Sequence, residues 1–247
     1  MEEIDHFREI EDNNYNHSKE FLGDSTSLVQ NLLELYKVLD ELLAESITLS
    51  GSEPTDEQSA VSTFLTASGH YLVIAALAML RGHLTDSFSI LRKSIEFSAF
   101  AARVKKHPPL AKVWLDATGG DALYNSYQEK FSGRKLFPNN NALLVELQKK
   151  HDDCSKRSHG SIYSFKNRVN REKNTDAVFS HFELRNEDPS SLIRALLYAV
   201  ESHLLILKVF QEALQVECAH DRKRFETSRK VLEENIASYR SKWEKLI

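Results

Sequence analysis

The sequence predicts an all-α fold: a single bundle of about six to eight helices around a central helical hairpin, with one irregular segment near residues 160–187. Three observations lead there. Only 8 Gly and 5 Pro, with 41% hydrophobic and 28% charged residues, describe a helix-rich folded chain rather than a disordered or fibrous one. Leucines recur at steps of three and four, the spacing of one helix face. The stretch from Ala60 to Val104 holds two apolar segments joined by Arg81-Gly82-His83, as a buried hairpin would. At 247 residues the chain is long enough to bury a core without disulfide or metal staples, and residues 1–247 are read as one domain.

Ile4, Phe7 and Ile10 have helical spacing, but the polar run after them predicts a short helix feeding a loop within an acidic, partly irregular segment over residues 1–24. From about Ser25 to Ile47, Leu28, Leu32, Leu35, Leu39 and Leu42 form one stripe, widened by Leu33, Tyr36 and Leu43 into the face of a bundle helix. Ser50 to Pro54 interrupt the pattern. Thr55 with Gln58 then forms a capping box that opens the first arm of the hairpin. Gly82 leaves open whether the arms are one bent helix or two, since glycine weakens a helix by about 1 kcal/mol without forbidding it. Leu77 and Ile95 are expected in the core. Pro108-Pro109 stops the second arm and opens a short helix with Leu110, Val113 and Trp114, and another short helix runs from about Ala122 to Phe131.

A helix from about Ala142 into the 150s carries Leu143, Leu144 and Leu147 inward. Between Ser161 and Leu184 no helix-length pattern exists, and the alternation Val178, Ser180, Phe182, Leu184 permits a short strand or small hairpin. Asp188-Pro189 starts a long helix to about Val216, with Leu192, Leu196, Ala199, His203, Ile206, Phe210 and Ala213 on its inner side. Over residues 221–247 an amphipathic C-terminal helix places Phe225, Leu232, Ile236, Tyr239, Trp243 and Leu246 on one stripe. That stripe must be covered by the bundle or by a second copy, so a homodimer is expected.

The sharpest chemical signal is Arg92 with Glu96, one helical turn apart among Phe88, Leu91, Ile95 and Ala99. It reads either as a structural ion pair or as a guanidinium held by a carboxylate and offered to a phosphate or carboxylate. Arg81, His83 and Asp86 at the joint either line the same pocket mouth or cap helix ends. A second cluster, Arg157, Ser158 and His159, ends the helix that begins near Ala142. His159 there is a candidate acid or base, or a solvated capping residue. The candidate ligand-binding set is therefore Arg81, His83, Arg92, Glu96, Arg157, Ser158 and His159, with Arg92, Glu96 and His159 as the catalytic candidates. No GxSxG and no phosphate-binding loop occurs.

An apolar helix, an Arg-Gly joint, LRKSIEFSAF and a later SHGS together resemble a group of uncharacterised bacterial all-helical proteins, distantly similar to the HEPN superfamily. The resemblance spans roughly residues 60–165 and implies a helical bundle; several HEPN proteins cleave RNA in defence systems. Their motif is an Arg, then four to six residues, then a His. This chain departs from it, because Arg103 and His107 have three residues between them and Arg157 and His159 have one. The nuclease activity is therefore not carried over. The expected function is a non-catalytic intracellular binding or scaffold protein of a bacterial stress or defence pathway. The alternative is an HEPN-like RNA-binding or RNA-cleaving protein.

Residues 1–24 carry eight acids against two bases and residues 148–173 eight bases against three acids, so the chain is locally polarised although its net charge is only -4. The basic stretch, with Tyr163 and Phe165, suits either single-stranded RNA or docking against the acidic N-terminal segment. Cys154 and Cys218 belong to no CxxC framework, which argues for a reducing, cytoplasmic setting and against structural zinc. Glu3-x-x-His6 and Glu217-x-x-His220 lie outside the apolar runs, so neither a metal nor a cofactor is expected. The longest apolar run, Tyr71 to Leu80, is ten residues, half of the roughly 20 that cross a bilayer, so no membrane partner is expected. The acidic start has no signal-peptide pattern.

Overall fold

The computed structural model describes residues 2–131, 136–138, 141–158, 169–170, 178–179, 190–214 and 219–244. The fold is all-α. The helices are α1 (Glu2–Leu22), α2 (Ser27–Ser50), α3 (Asp56–Leu80), α4 (Leu84–Lys106), the seven-residue α5 (Pro109–Leu115), α6 (Asp121–Phe131), α7 (Ala142–Ser158), α8 (Ser190–Leu214) and α9 (Ala219–Trp243). Short 3-10 turns follow α1 and α5. A two-residue antiparallel pair, β1 (Val169–Asn170) with β2 (Val178–Phe179), is what is described of the segment between α7 and α8. Ser180, Phe182 and Leu184 of the expected alternation, and the Asp188-Pro189 helix start, lie outside the described residues.

The hairpin is two helices, and the sequence shows why. Gly82 has φ +90°, a conformation that costs a residue with a Cβ, and it closes α3 with a Schellman motif. Its N–H donates to Met79 O at 3.0 Å, and that of His83 donates to Ala78 O at 2.8 Å. At the other end of α3 the capping box is formed: Gln58 N donates to Thr55 Oγ1 at 3.2 Å and Thr55 N to Gln58 Oε1 at 2.9 Å. α3 packs along α4, and both pack on α8, whose Leu196, Ala199, His203, Ile206, Phe210 and Ala213 are buried. The α2 leucine stripe is buried from Leu28 to Leu42 against α3, α8 and α9. The buried side chains of these helices form one continuous core.

Two expectations are corrected. α1 is a continuous 21-residue helix, where a short helix and loop were expected within 1–24. Polar contacts hold its second half: Asn14 Nδ2 donates to Arg81 O at 3.4 Å, Glu11 Oε1 lies 2.8 Å from His83 Nε2, and Ser18 is buried. A search for apolar periodicity does not register such contacts. Leu77, expected in the core, is 36% exposed, with Val73 beside it on the outer side of α3. α3 is apolar on nearly every side, so its sequence does not choose which side turns inward; Leu72, Ala75 and Met79 do. It is also long and apolar enough to cross a membrane by length and composition, with mean hydropathy 1.6 over its best window, 39% of which is buried.

The α9 stripe is covered by the chain's own helices. Phe225, Leu232, Ile236 and Trp243 are buried and Tyr239 is half-buried against α2 and α8; Leu246 lies outside the described residues. Covering each large side chain contributes roughly 1.5 to 3 kcal/mol, and the stripe itself leaves no demand for a second copy.

Candidate functional site

α4 and α7 pack antiparallel, and their seam gathers the polar residues. α7 turns Leu144, Leu147 and Cys154 inward, and His151 falls on that same stripe, one turn from each of its neighbours. α4 turns Leu91 and Ile95 into the core. Arg92 and Glu96, one step round the helix, therefore sit at the edge of the seam facing His151.

Arg92 Nε donates to Glu96 Oε1 at 3.0 Å and lies 3.2 Å from His151 Nε2, which is itself 3.0 Å from Glu96 Oε1. The side chains are 31%, 27% and 18% exposed for Arg92, Glu96 and His151, so the cluster is half-buried and reachable from solvent. One imidazole nitrogen cannot at once accept from Arg92 and donate to Glu96. The ring accepts with its proton on Nδ1 and donates with it on Nε2. Asp152 Oδ1, 3.6 Å from Nδ1, is a second carboxylate beside the ring. The cluster therefore holds a proton that can be placed in more than one way.

Burial by itself would raise the Glu96 carboxyl, but the His151 hydrogen bond and the Arg92 charge outweigh it and hold the group below its ordinary range. Two aromatic residues border the cluster. The Phe137 ring lies 5.2 Å from that of His151, and Tyr127 of α6 has its phenol pushed up, by burial first and then by the charge of Glu96.

The remaining candidates fall elsewhere. Arg157 stacks over the Phe88 ring at 4.8 Å, at the other end of the α4–α7 seam from the start of α7. Ser158 points back along its own helix, with Oγ 3.5 Å from Ser155 O. His159 lies outside the described residues, as do Tyr163, Phe165, Lys166, Arg168 and Arg171. Arg81 and His83 belong to a separate place, the joint. His83 binds Glu11 there, and Arg81 Nε is buried with no hydrogen-bond partner among the described residues. Nine residues of helix, about 13 Å, separate His83 from Arg92, so the joint and the Arg92 cluster are not one pocket mouth. Asp86 is exposed.

Sequence reasoning missed His151, Tyr127 and Phe137. It did place His203 inward, and that residue is wholly buried, with Nδ1 2.8 Å from the Tyr36 hydroxyl and no partner at Nε2 among the described residues. Beside Arg157, Cys154 is buried with its thiol pushed up to about 12, so it is inert at neutral pH. No three His, Cys, Asp or Glu side chains converge as metal ligands among the described residues. Compared with protein-family models, curated proteins and solved structures, the chain matches none.

Proposed function

We propose that the chain is a non-catalytic binding protein that holds a phosphate or carboxylate group of its ligand on Arg92. The observation that supports this reading is a guanidinium held in place yet reachable from solvent: Nε is engaged at 3.0 and 3.2 Å, while the side chain remains 31% exposed. A guanidinium has five N–H donors in a rigid fork, and orienting it in advance removes part of the ordering cost of binding.

A second reading is favoured by His151 alone. A histidine within hydrogen-bond reach of an anion-binding arginine could move a proton during phosphodiester cleavage, the HEPN-like alternative, with His151 where the sequence suggested His159. One experiment separates the two. Labelled single-stranded RNA and a carboxylate-rich peptide are titrated with wild type, Arg92→Gln and His151→Ala, and the RNA is analysed for strand breaks. Binding of either probe that weakens at least about tenfold in Arg92→Gln, without breaks, supports the binding reading. Strand breaks lost in His151→Ala establish the second. Binding of both probes unchanged by Arg92→Gln refutes the site.

A further inference from the structure

We infer that the cleft between the end of α1, the start of α2 and the last two turns of α3 is a binding site for a small neutral aromatic molecule. Its volume is about 180 Å³. Leu22, Met79 and Leu196 are buried side chains of its lining, whereas Val73 and Leu77, 37% and 36% exposed, are its side chains most open to water. No residue of the Arg92 cluster lines it, so this site is separate from the proposed anion site.

The sequence of α3 changes character at the cleft. One stripe of the helix runs through positions 63, 66, 70, 73, 77 and 80, at steps of three and four. Its first half suits a water-facing stripe, since Thr63, Thr66 and His70 are polar and exposed. Its second half is Val73, Leu77 and Leu80, and all three line the cleft. Ala76, the small residue beside them, leaves the room. Between Glu57 and Arg81 the helix has no Asp, Glu, Lys or Arg. A stripe that met water along its whole length would have no reason to turn apolar at this point, whereas one that meets an apolar ligand does.

The chemistry of the lining selects the occupant. No ionisable side chain takes part, and Thr26, the one polar residue, already donates its hydroxyl to Gly23 O at 3.0 Å. A charged ligand would give up its hydration and find no partner. Volume selects the size. Apolar cavities of about 150 Å³ stay dry and take up benzene, so about 180 Å³ suits a single ring with one or two substituent atoms. Met79 favours an aromatic ring, because a thioether sulfur makes favourable contacts with ring edges and its flexible chain adapts to the ligand's outline. Charge also opposes a second copy of this chain as the occupant. Residues 1–24 carry eight acids against two bases, so a two-fold contact through this end of α3 would bring two acidic α1 helices together.

The test is calorimetric titration of the full chain with toluene and with benzoate, the same ring bearing a carboxylate, together with sedimentation of the ligand-free chain. Toluene is expected to bind with Kd on the order of 1 mM or tighter, and benzoate at least about tenfold more weakly. Ala76→Leu, which fills the cleft, should abolish toluene binding. Leu77→Asp, which places a charge at the open mouth, should weaken it at least about tenfold. Thermal melts establish that each variant folds, and Leu77→Asp, made on an exposed side chain, decides the matter if Ala76→Leu does not fold. The inference is overturned if toluene does not bind, if benzoate binds as well as toluene, or if a folded variant keeps the wild-type affinity. A dimer that Leu77→Asp dissociates would also overturn it, by assigning the cleft to a second copy.

Discussion

Acid should unfold this protein through His203. The ring is wholly buried on α8, shares one hydrogen bond with Tyr36 of α2, and leaves Nε2 without a partner among the described residues. Burial lowers its pKa from 6.5 to about 3. The folded chain thus keeps the ring neutral, whereas the unfolded chain takes up a proton below about pH 6.5. The stability held by the neutral ring is fully present above that pH and is lost as pH falls towards 3, by about 1.4 kcal/mol for each pH unit. Integrated over the window the loss approaches about 5 kcal/mol, a large part of the 5–15 kcal/mol that holds a typical domain. Tyr36 titrates far above this window, because burial raises its phenol well above 10.

The perturbation is a double-mutant cycle of Tyr36→Phe and His203→Leu, read by urea unfolding from pH 7.5 to 4. At pH 7.5 each single variant strands a buried polar atom and should cost about 1–3 kcal/mol; the double variant, which removes both partners, should cost less than their sum. Below pH 6 the double variant should lose stability less steeply than wild type by about 1.4 kcal/mol per pH unit. Parallel pH dependences of the two proteins would refute the assignment of acid lability to this ring.

Other perturbations have expected magnitudes. Glu96→Gln removes the acceptor shared by Arg92 and His151 and should cost about 1.5–3 kcal/mol at pH 7. Because the Glu96 carboxyl is held below its ordinary range, the gap to wild type should begin to close as pH falls through that range, which urea unfolding from pH 7 to pH 4 follows. Thr55→Ala dismantles the capping box of α3 and should cost about 0.5–2 kcal/mol, seen as a lower melting temperature. Phe225→Ala empties a buried site on α9 and should cost about 3–5 kcal/mol, whereas Val231→Ala, on the exposed side of the same helix, should stay within about 0.5 kcal/mol.

The fold was legible wherever one helix face alone is apolar. Leu28, Leu32, Leu35, Leu39 and Leu42 of α2 and the seven expected positions of α8 are all buried, because an apolar stripe at helical spacing has one way to leave water. Legibility failed at the two extremes of polarity. α1 has too few apolar residues over its second half for the pattern to register, yet Glu11 and Asn14 bind it to the joint between α3 and α4, and Ser18 is buried. α3 has too many for the pattern to choose a side, and Leu77 faced outward.

The site was half legible, and the missing half had a signal. Arg92 and Glu96 are one turn apart, so their meeting is a property of one helix and could be read directly. His151 is 55 residues from Glu96, and only the packing of α7 on α4 brings it to 3.0 Å. Its position on α7 was nevertheless informative, because 144, 147, 151 and 154 are spaced three, four and three apart and the other three are buried. A histidine on that stripe must face whatever α7 covers, and a half-buried polar ring there requires a polar partner on the facing helix. Between the apolar Leu91 and Ala99, the charged side chains that α4 turns to the edge of this seam are Arg92 and Glu96. The polar residue interrupting each apolar pattern was therefore the clue to the other, and His159, outside any such stripe, carried no comparable constraint.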